Sequence, residues 1–289
     1  MFLAVSVVLL AGVEAVPVAQ RKHAPKTRAT RKPVPVPTTA DASAPYPAGE
    51  SLEYAAQWNK FVTAAAIKLV VTGRSDFYGR SAWHFQASAR TLDPVRLLYT
   101  LDDQFDSYTD AASLACLQYE SYIREQSKRQ DLIVPMASVP APVQHSAKGG
   151  GKSGAKTGAK STASDPGAPH WPADTHVYMV LPGTRDPLSL LYTLRAQDWQ
   201  REPAARFPVF DGRRFYDVSA QKESADGEVE VAAGKFRVTR VALRVFESGK
   251  EMPNVKFWVS LAEDAARTPV LIEAEAPFGT VRVELTAVK

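Results

Sequence analysis

Four aspartates within nine positions form the densest group of acidic side chains in the sequence: Asp102, Asp103, Asp106 and Asp110. If this stretch is a strand, Asp102, Asp106 and Asp110 share one face, because alternate side chains point the same way. Like charges that lie close together raise a carboxyl pKa or hold a cation, and a carboxylate pair can hydrolyse a glycosidic bond. The alternative is a solvated strand face with aspartates that cap turns.

Four large aromatic residues form a second candidate site: Trp58, Trp83, Phe85 and Trp258. Aromatic side chains of this size line grooves that bind acyl chains or glycans. Packing in the core of a β protein is the more common role of such residues, and the sequence leaves both interpretations open. We predict that these four residues contact a hydrophobic or lipid-like ligand.

No motif in the sequence indicates a cofactor or a metal. The glycine-rich stretch 146–153 imitates a phosphate-binding loop, but its first glycine is absent and no strand or helix flanks it. The five histidines lack the spacing of zinc ligands, and no Gly-x-Ser-x-Gly motif occurs. We therefore predict no cofactor and no metal, and we favour a function without catalysis.

Apolar and polar residues alternate with a period of two through much of the chain, as in antiparallel strands with one buried face. In the last hairpin, Arg282 is expected to face Glu273 or Glu275 across the outer surface. The predicted strands cover 52–58, 64–72, 82–91, 102–110, 117–126, 176–181, 207–209, 213–220, 227–231, 235–247, 255–261, 270–276 and 280–288.

One segment has the pattern of a helix instead. At 186–197, Asp186 is a suitable N-cap and Pro187 a suitable first helical residue, and leucines follow at helical spacing. A near copy of this segment at 93–101 runs into the acidic stretch, which predicts a short helical turn followed by a strand. The sequence thus predicts a mainly β fold: a single curved antiparallel sheet or half-barrel around one helix.

Three segments are predicted to lie outside the folded body. Residues 1–15 resemble a secretory signal peptide, with a buried strand or helix as the alternative, and 16–45 form a basic, proline-rich linker predicted to be disordered. The β domain then spans 46–289 and is interrupted by a low-complexity loop at 135–172. We expect an exported protein of the periplasm or cell envelope.

Positive charge is concentrated in those segments. Six basic residues lie between positions 21 and 32 and four between 148 and 160, so the remainder of a chain with a net charge of +4 is negative. A nucleic-acid-binding fold usually has its positive charge on a structured face, and we therefore predict no nucleic-acid partner. The basic tracts are suited to an anionic envelope surface, or they act only as solubilising spacers.

A set of residues spread along the chain carries a family pattern: Gly49, Glu50, Leu52, Tyr54, Trp58, Asp102, Asp103, Phe105, Ser107, Asp110, the segment 186–195, Trp258, Asp264, Arg267, Pro269, Gly279 and Leu285. This pattern resembles an uncharacterised family of exported bacterial β-proteins, known only as a domain of unknown function. The resemblance covers 46–289 except the loop at 135–172, and it implies an envelope location and a mostly antiparallel β fold. A weaker similarity is to the half-barrels that carry lipoproteins in the periplasm.

Three functions follow as hypotheses. In the first, an exported protein binds a hydrophobic or lipid-like envelope ligand on its concave face without catalysis. In the second, the clustered carboxylates make it an envelope hydrolase, and in the third it is a scaffold that the basic tracts tether to anionic polymers. The state of the concave face, open or filled by side chains, is the observation that separates them best.

Overall fold

The alternating pattern forms strands along most of the chain in the computed structural model, which describes residues 44–58, 62–138, 169–172, 175–223, 227–252, 255–276 and 279–289. Two short helices accompany the strands in this described part, α1 (Val95–Leu98) and α2 (Pro187–Ala196). The strands are β1 (Ser51–Trp58), β2 (Val62–Phe77), β3 (Arg80–Thr91), β4 (Asp102–Asp110), β5 (Cys116–Glu125), β6 (Lys128–Ser138), β7 (Tyr178–Val180), β8 (Ala204–Phe210), β9 (Phe215–Lys222), β10 (Gly227–Val231), β11 (Gly234–Glu247), β12 (Lys250–Glu251), β13 (Lys256–Ala262), β14 (Pro269–Ala276) and β15 (Gly279–Val288).

All the described strands belong to one sheet. Its order is β7-β6-β5-β4-β3-β2-β1-β15-β14-β13-β11-β9-β8, with β10 and β12 also paired to β11. Strand pairs are antiparallel except β6 and β7, which are parallel. Strand β1 pairs with β15, so the first and last strands lie side by side in the middle of the sheet. Arg282 on β15 bonds Glu273 on β14 at 3.0 Å, which confirms the predicted cross-strand pair.

The two ends of the sheet approach each other at the segment that precedes α2. The Arg185 amide donates to the Pro208 carbonyl at 2.8 Å, and the Phe210 amide donates to the Arg185 carbonyl at 2.8 Å. On the other side, the Cys116 amide of β5 donates to the Thr184 carbonyl at 2.9 Å. This segment therefore bridges the two halves of a strongly curved sheet.

Helix α2 lies within the curve and fills it. Nine of its ten residues are buried. The Asp186 side chain accepts hydrogen bonds from the Leu188 and Ser189 amides, and Pro187 occupies the first turn, as the sequence predicts. A third bond to the Asp186 side chain comes from the Ser107 hydroxyl of β4 at 2.6 Å, so the cap also fixes the helix to the sheet. The predicted architecture of one curved sheet around one helix is confirmed.

The other end of α2 is held by a buried ion pair. The guanidinium of Arg195 donates two hydrogen bonds, of 2.6 and 2.7 Å, to the carboxylate of Glu50, which directly precedes β1. Arg195 has no exposed surface. Burial by itself lowers its pKa, but the hydrogen bonds and negative charge of Glu50 outweigh that effect and raise it. The rings of Tyr46 and Tyr192 face the guanidinium at 5.1 and 5.3 Å.

The carbonyl groups at the C-terminal end of α2 bind a second arginine. Arg267 Nη1 donates to the carbonyls of Arg195, Ala196 and Gln197 at 3.2, 2.9 and 2.9 Å. These are carbonyls that a helix end leaves without intrahelical partners, and positive charge is favourable there. Arg267 lies just before β14, so this contact joins the helix to the C-terminal half of the sheet.

Strand β6 differs from the sequence prediction, which missed this strand and placed 135–138 in the low-complexity loop. Val134 and Met136 are buried there, and β6 pairs with β5 over its first eight residues. Consecutive apolar residues and Pro135 had hidden the period of two. The predicted signal peptide at 1–15, the linker from 16 to 43 and most of the predicted loop lie outside the described residues. In the described part, no helix is long and apolar enough to cross a bilayer.

We expect Glu50→Gln to destabilise the protein by about 3–5 kcal/mol, because it leaves the Arg195 charge buried without a counter-charge. Urea unfolding at pH 7 measures the effect. Glu53→Gln is the matched control, since Glu53 pairs with Lys289 at the exposed surface and should change stability little. Equal effects of the two substitutions would show that the buried pair does not anchor the helix.

Candidate functional site

The predicted acidic cluster lies on β4, and three of its members share the outer face, as expected. Asp102, Asp106 and Asp110 are four residues apart along the strand, which corresponds to about 13 Å between neighbours. This is wider than the separation of paired carboxylates in glycoside hydrolases. The geometry therefore brings no two of these three aspartates together.

Each of the three has its own donor. Burial raises the pKa of Asp106, but hydrogen bonds to its carboxylate outweigh burial and hold the pKa below the usual value. The same balance holds the pKa of Asp110 low, and the hydrogen bond from Arg96 lowers that of Asp102. The donors are Arg96 to Asp102 at 2.7 Å, His84 to Asp106 at 2.7 Å and Arg80 to Asp110 at 2.5 Å.

Asp103 points to the inner face and lies beside a second acidic residue. Its carboxylate accepts a hydrogen bond from the Arg124 amide at 2.8 Å, and its side chain also bonds that of Glu125. Both carboxyl groups are buried. Burial, and next the charge of Glu125, raise the pKa of Asp103 to about 6. Tyr99 bonds Glu125 as well, so this acidic pair holds the chain that follows α1.

Two of the predicted aromatic residues belong to the core around α2. Phe85 stacks on Tyr192 of the helix with ring centroids 3.7 Å apart. Trp83 stacks on Phe85 at 6.2 Å and also meets Tyr46 edge-on at 5.6 Å. Trp83 and Phe85 therefore pack the concave face where a ligand groove was expected.

The other two lie elsewhere. Trp258 is on the outer face, where its Nε1 donates to Glu223 at 3.0 Å and Arg240 covers its ring at 5.0 Å. Trp58 lies at the end of β1 and is half exposed. The structure thus brings Trp83 and Phe85 together but separates them from Trp58 and Trp258.

A small apolar cavity remains between α2 and the sheet. Its volume is about 20 Å³, enough for about one water molecule. The small alanine side chains of β3 leave this space unfilled, and Leu191 of the helix lines its other side. The lining residues are Tyr54, Ile67, Leu69, Ala87, Ser88, Ala89, Phe105, Leu191, Ile272 and Val283. A cavity of this size does not accept an acyl chain without rearrangement.

The largest exposed apolar side chains lie at one end of the sheet, around α1. Leu97 and Leu98 are 81% and 84% exposed, and three further exposed apolar side chains lie at the same end of the sheet. We call this group the apolar rim, and its members are Trp58, Leu92, Leu97, Leu98 and Tyr99. The sequence pattern did not lead to a prediction of the apolar rim. The signal that could have indicated it is the pair of adjacent leucines, because two neighbouring side chains in a helix of one turn are difficult to bury on the same side.

Hydrogen bonds fix the apolar rim to the sheet. The Leu92 amide donates to the Ala64 carbonyl of β2 at 2.9 Å, and Gln126 donates from its side chain to the Leu98 carbonyl at 3.0 Å. The Gln126 amide also donates to the Thr100 carbonyl at 2.8 Å. These hydrogen bonds to Ala64 and Gln126 fix the backbone around α1 in a position where the two leucines are exposed.

No metal centre forms in the part of the chain that the structure describes. No three side chains among its His, Cys, Asp and Glu residues converge in a way that could hold an ion. The absence of a cofactor remains a prediction from the sequence. The arrangement at the apolar rim offers burial of apolar surface.

The buried acidic pair gives a prediction about pH. Because Asp103 has a raised pKa of about 6, the folded protein holds a proton that the unfolded chain has lost between about pH 4 and pH 6. Stability contributed by this proton is present below about pH 4 and is lost as the pH rises to 6. At pH 8, Asp103→Asn should therefore be more stable than the wild type by about 3 kcal/mol, with no such gain at pH 4.

Urea unfolding at both pH values measures this difference. Asp102→Asn is the control, because Asp102 is exposed, its pKa is lowered and its loss should not stabilise the protein. An Asp103→Asn variant that is less stable than the wild type at pH 8 would contradict the account.

Comparison with known proteins identifies the family of this chain. No curated protein matches the chain. Among solved structures, a β-barrel-like protein from Brucella abortus with the domain of unknown function DUF1849 aligns at 10% identity, with a TM-score of 0.48, over 84% of this chain and 97% of that one.

Two further structures align at lower scores. A candidate exported protein with a YmcC-like fold from Bacteroides fragilis is 10% identical, with a TM-score of 0.33, over 85% of this chain and 97% of that one. A candidate lipoprotein from Parabacteroides distasonis is 9% identical, with a TM-score of 0.35, over 86% of this chain and 100% of that one. At these scores the similarities carry no functional argument.

A family model gives a direct assignment. The model of a protein of unknown function, DUF3108, matches residues 53–286, which run from β1 to β15. The match covers most of the chain and nearly all of the sheet. It confirms the expectation of an uncharacterised family of β-proteins that is known as a domain of unknown function. The chain belongs to the DUF3108 family.

Proposed function

We propose that this chain is an exported cell-envelope protein that binds a lipid surface through its apolar rim, without catalysis. The observation that carries the proposal is the exposure of Leu97 and Leu98, 81% and 84%, at a position fixed by hydrogen bonds. Exposed apolar patches on folded proteins mark sites of protein or membrane contact.

The residue types at the apolar rim favour lipid over protein. Full burial of a leucine side chain is worth about 1.5–3 kcal/mol, so two leucines give a reversible association. Trp58 and Tyr99 lie at the same end, and these residue types prefer the boundary between headgroups and acyl chains. Arg90 on β3, which pairs with Asp102 at 3.4 Å, and Arg129 on β6 are exposed and are suited to lipid phosphates.

The proposal moves the ligand away from the concave face, where the sequence had suggested it. Helix α2 fills that face, and the cavity of about 20 Å³ beside Leu191 leaves no room for an acyl chain. Insertion at the rim requires no opening of the sheet. An acyl chain in the interior would have to displace part of α2 and its buried ion pair.

The exported location belongs to the proposal. Its support is the apolar run at 1–13, which has the length of a signal-peptide centre rather than of a transmembrane helix. The basic tracts at 21–32 and 148–160 would add attraction to anionic lipid. N-terminal sequencing of the protein from the envelope fraction checks this part, and an intact Met1 in the cytoplasm would contradict it.

The test of lipid binding is flotation of the full chain with vesicles of phosphatidylethanolamine and phosphatidylglycerol. We expect the wild type to float, and we expect Leu97→Ser combined with Leu98→Ser to lower the vesicle partition coefficient at least tenfold, because two apolar side chains are removed from the acyl region. Both changes lie on an exposed turn, so unfolding temperatures should stay close to the wild-type value.

Met179→Ser combined with Leu181→Ser is the matched control, since these residues are 56% and 59% exposed on the far edge of the sheet. The control should float like the wild type. Flotation at high salt distinguishes lipid insertion at the rim from the scaffold hypothesis. Salt screens electrostatic tethering through the basic tracts, whereas apolar insertion persists. If the rim variant floats like the wild type, or if salt alone releases the protein, the proposal is wrong.

A further inference from the structure

Two buried carboxyl groups lie next to the chain that carries the apolar rim. Asp103 of β4 and Glu125, the last residue of β5, are 4% and 6% exposed, and their side chains are bonded to each other. A carboxylate has hydrogen-bond acceptors only, so a bond between two carboxyl groups requires a proton on one of them. The pair therefore holds a shared proton for as long as this bond is made.

The groups that face this pair come from three other parts of the chain. The Arg124 amide of β5 donates to the Asp103 carboxyl group at 2.8 Å, and the Lys128 ammonium group at the start of β6 lies 3.8 Å from Glu125. The Tyr99 hydroxyl, from the chain that follows α1, bonds Glu125. The pair is thus connected both to the sheet and to the apolar rim.

Nearby positive charge does little to offset a second negative charge in the pair. The Arg124 guanidinium pairs with Asp131 at 2.5 Å, and Arg96 of α1 pairs with Asp102 on the outer face. The Lys128 side chain is 39% exposed, and 3.8 Å is too long for a hydrogen bond. Loss of the shared proton therefore leaves two negative charges buried side by side, which is unfavourable.

The residue after Glu125 holds the apolar rim by its backbone. Gln126 donates from its side chain to the Leu98 carbonyl at 3.0 Å and from its amide to the Thr100 carbonyl at 2.8 Å. Its φ is +46°, a backbone conformation that a residue other than glycine keeps only when its surroundings hold it there. With the Tyr99 hydroxyl bond, three contacts join this end of β5 to the segment 98–100.

Repulsion within the pair is relieved when Glu125 turns away from Asp103 toward solvent. This movement breaks the bond to Tyr99 and removes the surroundings that hold Gln126 in its conformation. The contacts on the β3 side do not involve the pair, and the Thr91 amide still donates to the Leu101 carbonyl at 3.0 Å. The rim is then released on its β5 side while the sheet stays intact.

We propose that the Asp103–Glu125 pair is a latch that fixes the apolar rim while it shares a proton and releases the rim when that proton is lost. A fixed rim presents Leu97 and Leu98 without a further cost of ordering, so the closed latch favours association. The consequence for lipid binding rests on the proposed function. The latch itself is a property of the free protein and can be tested without lipid.

Amide hydrogen exchange of the full chain at pH 5 and pH 8, read by mass spectrometry, tests the latch. Exchange times are scaled to the intrinsic amide rate at each pH. We expect protection of peptides within 96–101 and 124–127 to be about tenfold lower at pH 8. The reason is that a pKa of Asp103 raised from 3.8 to about 6 shifts the ratio of closed to open latch by that factor over this interval.

Asp103→Asn should remove this pH dependence. The asparagine carbonyl accepts from the Arg124 amide and its amino group donates to Glu125, without a charge to repel the glutamate. Protection should then equal the wild-type value at pH 5 at both pH values. Glu125→Gln removes the other charge and should have the same effect, so it serves as a second variant if Asp103→Asn does not fold.

Glu53→Gln is the matched control, because Glu53 is an exposed carboxylate of β1 that pairs with Lys289. It should keep the wild-type pH dependence, and peptides from β13 and β14 should keep their protection at both pH values. The latch is refuted if rim protection does not change with pH, if β13 and β14 lose protection to the same extent, or if the variants without the charge keep the dependence.

Vesicle flotation of the wild type at pH 5 reports separately on the proposed function. A protein that does not float there contradicts lipid binding and leaves the exchange result, and so the latch, in force. Unchanged exchange at the rim overturns the latch even if the protein floats.

Discussion

The rest of the structure depends on the burial of a charged helix end inside a curved sheet. The positive charge of Arg195 is buried without access to water, and the carboxylate of Glu50 is the counter-charge that compensates for its burial. Desolvation of two charges is compensated only by good geometry, which the double hydrogen bond provides. Together with Asp186 at the other end, this pair fixes both termini of the helix to the strands around it.

Because the interior of the curved sheet is filled, a ligand is expected to bind at the surface. A helix that packs into the curve of a sheet removes the space in which a carrier protein would hold its ligand, and the cavity left beside Leu191 is small. The apolar rim around α1 differs from an ordinary solvated sheet surface, because it offers apolar area for burial against a partner.

Sequence patterns predicted much of the fold because the period of two and the helix cap are local signals. The helix cap at Asp186 and the alternating strands were predicted in this way. Strand β6 was missed because Val134, Pro135 and Met136 are three apolar residues in a row and break the period of two. The sites were less predictable because they depend on register between strands. Asp103 and Glu125 are far apart in the sequence and meet only through the pairing of β4 with β5. The exposure of Leu98 could not be predicted either, because it depends on which elements pack against α1.

The most direct test of the central claim is amide hydrogen exchange, read by mass spectrometry on the intact, folded chain. If α2 is the buried centre of the sheet, peptides that contain Leu190 to Arg195 should exchange as slowly as the inward strands β1 and β15, with protection close to the global free energy of unfolding. Exchange of these peptides at the rate of the exposed turn α1 would contradict the account.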